Sequence, residues 1–178
     1  MNASSPPDWQ PVLEGRLVRL RPLRADDFEA LHAAAADPAI WALHPEPTRW
    51  QREVFQRFFD SGLACGGALV AHDATTGAVI GSSRYYQWDE PARHVTVGYT
   101  FLARSHWGGA VNAEMKRLML DHAFNWARTV WFEVGVANWR SRRAMEKIGA
   151  RLDGEMAPPP GATQATSVRF RINAPAGS

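Results

Sequence analysis

The sequence predicts an α+β fold built on one mixed, mostly antiparallel sheet of about six to seven strands with about four helices. Two observations support this prediction. The middle of the chain contains three strand-like segments joined by short turns, the pattern of an antiparallel meander. After residue 109 the apolar residues change from a spacing of two to helical spacing. Strands and helices then alternate to the end of the sequence.

The first third of the chain is predicted to hold one strand and two helices. Residues 16–21 alternate between polar and apolar types, and a proline ends this strand. A helix over 25–36 begins with aspartates in its first turn, where the helix dipole stabilises negative charge. A second, aromatic-rich helix is predicted from Arg49 to Ser61, with Gly62 closing it.

The same patterns assign the rest of the chain. The predicted elements are strands at 68–72, 79–88 and 93–102, a helix at 109–128, a strand at 130–136, a helix at 140–148, and strands at 151–155 and 166–172. No internal repeat or second domain is recognised. We therefore expect a disordered lead-in over 1–12, one domain over 13–173 and a disordered tail over 174–178.

Composition narrows the functional classes without selecting one. The single cysteine, Cys65, excludes an intrachain disulfide and suits a cytoplasmic location. Apolar stretches fall far short of the ~20 residues that span a membrane, and the amino end does not resemble a signal peptide. Arginines are spread along the chain, so no specific nucleic-acid partner is expected. The close arginines at 16–24 are interpreted as a solvated strand face, with a patch for an acidic partner as the alternative.

The junction between the third meander strand and the long helix is the first candidate site. Ser105–Ala110 contains paired glycines directly before a helix. Backbone N–H groups and the helix dipole converge at such a terminus and favour an anion, and glycine allows close backbone approach. Paired glycines can also serve only as a tight helix start. Neither a Rossmann nor a Walker motif is present.

A second cluster lies downstream, at residues 138–150. Together with the glycine-containing loop, it resembles the GNAT acetyltransferase superfamily, and within it the branch of ribosomal-protein N-acetyltransferases. The family's phosphate loop, Arg/Gln-x-x-Gly-x-Gly/Ala, matches at Gly108 and Ala110 and departs at Ser105, where a long polar residue is usual. The downstream pattern Asn-x-x-Ser-x-x-x-hydrophobic-x-Lys-hydrophobic-Gly matches at Asn138, Ser141, Met145, Lys147, Ile148 and Gly149.

The resemblance implies acetyl-CoA as cosubstrate, no metal, and two parallel strands, ending at Leu102 and Val136, that splay to admit the pantetheine arm. A backbone N–H near Phe101 or Leu102 would form a one-donor oxyanion hole. Ser141 would be the catalytic group facing the sulfur. The cofactor-binding residues implied are Phe101, Leu102, Arg104, Ser105, His106, Trp107, Gly108, Gly109, Ala110, Val111, Asn138 and Ser141. Asn138 as a helix cap and Ser141 as an ordinary first-turn serine remain alternatives.

The resemblance also implies a primary amine as acceptor: a peptide or protein N-terminus, an amino acid or a small-molecule amine. We expect the acceptor pocket to include Trp41, Tyr85, Trp88 and Thr96. Many relatives carry a glutamate base where this chain has Thr96, and Glu133 is the candidate substitute. Without an obvious base, we favour either an acceptor amine of low pKa or a proton exit through a relay of water molecules. Deprotonation at pH 7 costs an α-amine of pKa near 8 only about 1.4 kcal/mol.

Two other functional classes stay open at this stage. A catalytically inactive GNAT fold that binds or senses acyl-CoA is consistent with the missing carboxylate at position 96. A nucleic-acid-binding module is supported only by the pI near 9.0 and the early arginines. A homodimer is also left open. Asn112, Glu114 and Lys116 are interpreted as helix-surface and packing residues.

Overall fold

The computed structural model describes residues 7–176, which form eight strands and five α-helices. The strands are β1 (Leu13–Glu14), β2 (Val18–Pro22), β3 (Ala68–Asp73), β4 (Val79–Asp89), β5 (His94–Leu102), β6 (Thr129–Gly135), β7 (Arg151–Glu155) and β8 (Ser167–Asn173). The helices are α1 (Phe28–Ala35), α2 (Pro38–Trp41), α3 (Arg52–Cys65), α4 (Ala110–Ala123) and α5 (Trp139–Lys147). The predicted α+β class is confirmed.

All strands join one open sheet in the order β1-β2-β3-β4-β5-β6-β8-β7. Every neighbouring pair is antiparallel except β5 and β6, which run parallel. The sheet has one strand more than predicted, because the two-residue β1 is too short to show a period. The additional helix is α2, whose N-cap Asp37 accepts a hydrogen bond from the backbone N–H of Ala39 at 2.9 Å.

Two predicted helix ends are wrong. Gly62 does not close α3, which continues to Cys65. A Cβ on this buried glycine would lie 3.1 Å from Leu23 Cδ2, so its missing side chain permits close packing instead. The helix predicted to reach residue 128 ends at Ala123. The chain turns there and buries Trp126 against the ring of Tyr85.

Each face of the sheet carries its own apolar core. One core packs α4 and α5 against the sheet through side chains such as Met115, Met119 and Met145. The other packs the first three helices on the opposite face around Phe55, Phe58 and other aromatics. The central strands are therefore covered on both sides, and any opening between two of them leads from one face to the other.

The parallel pair β5–β6 provides such an opening. His94, Val95 and Thr96 pair with Thr129, Val130 and Trp131, and no pairing continues beyond them. The two strands then separate, as the resemblance implied. We term the gap beyond Thr96 and Trp131 the fork. Because backbone groups along the fork lack a strand partner, they remain available to a ligand.

A bulge distorts β5 beside the fork. The pairing with β4 passes from Arg84↔Gly98 to Ser82↔Phe101, so two residues of β5 face one of β4. Tyr99, inside the bulge, adopts a left-handed backbone with φ +52°. Such a conformation is strained for a residue other than glycine and is concentrated at functional sites. The bulge directs successive β5 side chains differently from a regular strand.

The domain boundaries stay a prediction. Residues 1–6 of the predicted lead-in and 177–178 of the tail lie outside the described residues. Within 7–12, Trp9 packs against the core, and the ring of His122 hydrogen-bonds the carbonyl of Asp8 at 2.7 Å. Among residues 7–176, no helix is long and apolar enough to cross a membrane.

Candidate functional site

A cleft of about 670 Å³ opens at the fork and extends to the start of α4. It brings together eight of the residues predicted to bind the cosubstrate: Phe101, Leu102, His106, Trp107, Gly108, Gly109, Asn138 and Ser141. These residues come from the end of β5, the loop before α4 and the start of α5. The fork therefore gathers both sequence motifs into a single site.

The loop at the open end of the fork, residues 107–110, is termed the glycine loop. Gly108 and Gly109 have φ values of +112° and +105°, a backbone conformation that other residues rarely adopt. A Cβ added at either position would meet nothing within 4 Å. No side chain caps the following helix, so its first N–H groups have no protein partner of that kind. This open cradle of backbone donors fits a phosphate-sized anion.

A short side-chain network fixes the loop before the glycines. The ring of His106 bridges Ser105 Oγ at 2.9 Å and Asp73 Oδ2 at 2.8 Å. The pKa of Asp73 is lowered to about 2, first by a hydrogen bond from the backbone N–H of Thr76 and then by His106. This network ties the loop to the end of β3, and it gives His106 an anchoring role.

Trp107 forms a wall of the cleft. Its indole N–H donates to the carbonyl of Leu102 at 3.0 Å, pairing a backbone group that the separating strand leaves open. The guanidinium of Arg140 lies 3.9 Å from the Trp107 ring centroid and donates to the carbonyl of Ile40 at 3.0 Å. These contacts join α5 and α2 across the open end of the cleft.

Four residues predicted to bind the cosubstrate do not line the cleft. Arg104 forms an ion pair with Asp37 at 2.8 Å. The Ser105 hydroxyl bonds His106, as described above. Ala110 and Val111 begin α4, and the Val111 side chain packs against the core. The phosphate-loop motif uses the backbone N–H groups of these two residues, which lie at the start of the helix, and not their side chains.

Asn138 and Ser141 meet at the beginning of α5. Asn138 is the N-cap, and its Oδ1 accepts the backbone N–H of Ser141 at 3.2 Å. The capping alternative for Asn138 is therefore correct, and only its amide N–H groups remain for another partner. Ser141 Oγ makes no hydrogen bond within residues 7–176, and the half-buried side chain lines the cleft.

The four residues predicted for the acceptor pocket do not line the cleft. Trp41 is buried, and its indole N–H donates to the carbonyl of Ala35 at 2.8 Å. Tyr85 is fully buried and donates to the carbonyl of Met119 at 2.7 Å on the other face of the sheet. These two side chains belong to the two apolar cores, so the prediction that they line an acceptor pocket is wrong.

The side chains of the other two predicted acceptor residues also contact residues outside the cleft. Trp88 packs on Trp126 with ring centroids 5.3 Å apart. Thr96 is 1% exposed, and its hydroxyl donates to Gln87 Oε1 at 3.1 Å. Thr96 lies at the closed end of the fork, where the last β5–β6 pair leaves no room for a ligand.

Another wall of the cleft is formed by Tyr86, Tyr99 and Glu133. Tyr86 and Tyr99 pack with ring centroids 5.2 Å apart, and Tyr99 is 43% exposed. The Tyr86 hydroxyl donates to Glu133 Oε2 at 3.4 Å. Burial, followed by the charge of Glu133, raises the pKa of Tyr86 above its ordinary value. The bond from Tyr86 directs the Glu133 side chain to the cleft side, whereas its neighbours Phe132 and Val134 belong to the core that contains α4 and α5.

Arg49 lines the same side of the cleft. Its guanidinium lies over the rings of Trp41 and Phe58, at 5.1 and 4.9 Å from their centroids. It forms no hydrogen bond or ion pair within residues 7–176. Burial lowers its pKa, an effect that the carboxylate of Glu46 opposes. Arginine remains charged in proteins, so the guanidinium of Arg49 faces the cleft as a cation.

Lys116 was interpreted as a helix-surface or packing residue, and it does not lie on the surface of the helix. It is 2% exposed, and its Nζ donates to Thr100 Oγ1 at 2.5 Å. Burial lowers its pKa to about 7. Asn112 lines the cleft beside it. Glu114 instead accepts backbone N–H groups of residues 16–18, tying α4 to the approach to β2.

The sequence profile of the Acetyltransferase (GNAT) domain family matches residues 17–151, which include the whole fork and the glycine loop. The chain belongs to the GNAT acetyltransferase family. No curated protein sequence matches it significantly.

Solved GNAT structures share its fold. A GCN5-related N-acetyltransferase from Brucella melitensis superposes with a TM-score of 0.81 at 21% identity, covering 94% of this chain and 80% of that one. RimJ from Mycobacterium smegmatis, in complex with CoA-disulfide, gives 0.70 at 20% identity, covering 88% and 82%. Spermidine N-acetyltransferase from Vibrio cholerae, in complex with CoA and spermine, gives 0.68 at 16% identity, covering 89% and 96%. These superpositions show that the chain shares the fold of the three proteins.

Proposed function

We propose that this protein is an N-acetyltransferase that transfers the acetyl group of acetyl-CoA directly to a primary amine. One observation carries the proposal: a parallel strand pair that separates after three residue pairs, with the glycine loop at its open end. A long, thin ligand with an anionic head and an amide-bearing arm fits this shape. Such a ligand supplies an acetyl group already activated as a thioester.

Different residues along the fork would bind different parts of this ligand. The glycine loop and the first turn of α4 provide backbone donors for the pyrophosphate. The open edges of β5 and β6 provide backbone groups for the amides of the arm, in the manner of an added strand. Asn138 retains amide donors for the same arm. The backbone N–H of Leu102, just past the bulge and facing the fork, would polarise the acetyl carbonyl.

The acceptor amine approaches from the face that carries Tyr86, Tyr99 and Glu133. An amine must lose a proton as it forms the new bond, and a carboxylate in the wall supplies a place for that proton. Glu133 is hydrogen-bonded to Tyr86 and lies 3.9 Å from Arg169, so it is held at the wall. We assign Glu133, directly or through water, as the general base in place of the missing carboxylate at Thr96.

Arg49 favours an acceptor that carries an anionic group beside its amine. Guanidinium groups bind carboxylates through two parallel hydrogen bonds, and the donors of Arg49 are open to the cleft. A free amino acid or a small acidic amine meets this requirement. A polyamine, the ligand named for the Vibrio cholerae relative, would bring more positive charge toward Arg49 and is disfavoured.

An acceptor screen tests the proposal. The protein is incubated with acetyl-CoA and matched amines, each amino acid beside its carboxamide and its decarboxylated amine, and products are read by mass spectrometry. We expect an acetylated product in the amino-acid arm, and a KM that rises about tenfold or more for the carboxamide. Arg49→Met should remove this preference, whereas Arg52→Met, which alters an exposed arginine paired with Glu29, should not.

The second candidate is an acyl-CoA-binding protein without transferase activity, favoured by Thr96 at the usual position of the base. Binding of coenzyme A with no acetylated product for any amine would establish it. Acetyl transfer that persists at the wild-type rate in Glu133→Gln would contradict the role assigned to Glu133 and leave the transfer itself intact. A failure to bind coenzyme A would overturn both functions.

A further inference from the structure

Lys116 is an unusual use of lysine in this chain. Lys116 and Lys147 are the only lysines in the sequence, and the other long basic side chains are arginines. Lys147 is exposed, whereas Lys116 is buried inside the domain. Its amine lies inside the fork, bonded to Thr100 of β5 and 5.6 Å from the Phe132 ring centroid of β6.

Packing alone does not explain this residue. Taking an ammonium group out of water is costly unless a charge or several hydrogen bonds compensate it. Here one hydroxyl is the hydrogen-bond partner within residues 7–176. Burial is the sole cause of its lowered pKa, so the charged groups that line the cleft from β6 and α5, Glu133, Arg140, Arg143 and Lys147, do not compensate it. A methionine would fill the same space at lower cost.

The position of the amine relative to the fork indicates its partner. The fork closes at Thr96 and Trp131, and the glycine loop lies at its open end. An arm that is anchored by its phosphates at the glycine loop therefore runs inward toward the closed end. Thr100 lies along this path, as the second residue of the bulge. The tip of the arm, which is its sulfur atom, thus comes next to the amine of Lys116. This step rests on the proposed function.

We propose that Lys116 is a catalytic residue that donates a proton to the sulfur of coenzyme A. As the acceptor nitrogen bonds to the acetyl carbon, the carbon–sulfur bond breaks and its electron pair goes to sulfur. The ammonium of Lys116 gives sulfur a proton, which yields the free thiol and a neutral amine. The proton lost by the acceptor nitrogen passes through Glu133 to solvent, and Lys116 regains one from solvent. Protons therefore balance over one turnover.

The decisive measurement is the pKa of the thiol in bound coenzyme A, followed through the ultraviolet absorbance of the thiolate. A nearby ammonium stabilises the thiolate and lowers the thiol pKa from about 8.5 by about one to three units. We expect this lowering in the wild-type protein and its loss in Lys116→Met. Arg117→Met, on the same helix with its guanidinium paired to Asp121 in solvent, should behave as wild type.

Kinetics provide the second readout. Lys116→Met should lower kcat about 10²-fold with little change in the KM for acetyl-CoA, because general-acid assistance acts in the transition state. Thr100→Val retains the amine but frees it from its hydroxyl partner, and it should keep most of the thiol pKa lowering. Bound coenzyme A with the same thiol pKa in wild type and Lys116→Met would overturn the role of Lys116 alone. If neither protein binds coenzyme A, both this inference and the proposed function are wrong.

Discussion

Two polar side chains line the cleft from different helices, and each has a chemically distinct role to offer. Ser141 on α5 presents a neutral hydroxyl, which can donate a hydrogen bond but rarely a full proton. Lys116 on α4 presents an amine whose pKa of about 7 suits proton transfer near neutral pH. We propose that Ser141 orients the sulfur by a hydrogen bond, while Lys116 protonates it.

Ser141→Ala should lower kcat by about 10²-fold while the KM for acetyl-CoA changes little, because the hydroxyl acts mainly on the leaving sulfur. The helix should stay intact, since the bond from Asn138 is made to the backbone N–H of residue 141, which alanine retains. Steady-state kinetics on the folded variant measures this effect. Unchanged kcat would return Ser141 to an ordinary first-turn serine.

Lys116→Met should raise the stability of the protein at neutral pH even though it lowers activity. The pKa of Lys116 falls from 10.5 in the unfolded chain to about 7 in the folded protein. The unfolded state therefore binds the extra proton between these values, and wild-type stability rises with pH across that window. The variant lacks this dependence, so its advantage should be largest below pH 7.

Urea unfolding of both proteins at pH 6 and pH 9 measures this difference. The stability gap should shrink by about 2–3 kcal/mol between the two pH values, since each pKa unit corresponds to about 1.4 kcal/mol. Arg117→Met serves as the control, because its exposed guanidinium stays charged at both pH values. A gap that is independent of pH would contradict the buried-ammonium interpretation.

Residue type alone does not predict which of these side chains line the cleft and which are buried in a core. Tyr85 and Tyr86 are neighbours in β4, yet one is buried in a core and the other lines the cleft, because successive strand residues point to opposite faces. The strand pattern predicts that the two side chains point to opposite faces of the sheet, but it does not predict which face carries the cleft. Lys116 follows the core residue Met115 on α4, and only the opening of the sheet opposite it makes its position part of the site.

At the scale of elements, the two motifs were predictable and the geometry between them was not. The glycine loop and the start of α5 carry recognisable residue patterns, and the structure brings them to one cleft. The bulge in β5 left no mark in the sequence, because residues 98–102 continue the predicted strand without a turn residue. A bulge depends on the pairing partner, which a local pattern does not contain.

Gly108→Ala should weaken coenzyme A binding at least about tenfold and leave the fold intact. Alanine rarely adopts φ +112°, so the loop must change its backbone and its N–H groups lose their common direction. Calorimetric titration with coenzyme A measures the affinity. Gly77→Ala, at φ +74° in the turn between β3 and β4, is the matched control and should bind normally. Equal affinity in both variants would mean that the glycines serve only to start the helix.

For the molecule as a whole, coenzyme A should act as a stabilising ligand. A ligand at 100 times its dissociation constant adds about 2.7 kcal/mol to the free energy of unfolding. For a domain of this size that corresponds to a rise in Tm of roughly 5–10 °C. Differential scanning fluorimetry in a coenzyme A titration checks it. If millimolar coenzyme A leaves the Tm unchanged, the assignment of coenzyme A as cosubstrate is wrong, even if another activity is found.

The short β5–β6 pairing also divides the sheet mechanically. Five strands lie on one side of it and three on the other, and in the described residues 7–176 the strand pairs that join them run from His94↔Thr129 to Thr96↔Trp131. Because β5 and β6 do not pair beyond this seam, we expect their amides along the fork to exchange readily with solvent when no ligand is bound. A ligand arm bonded to both edges closes the seam. Hydrogen exchange should therefore slow along Thr100–Leu102 and Phe132–Gly135 when coenzyme A binds, while β2 and β3 keep their own rates.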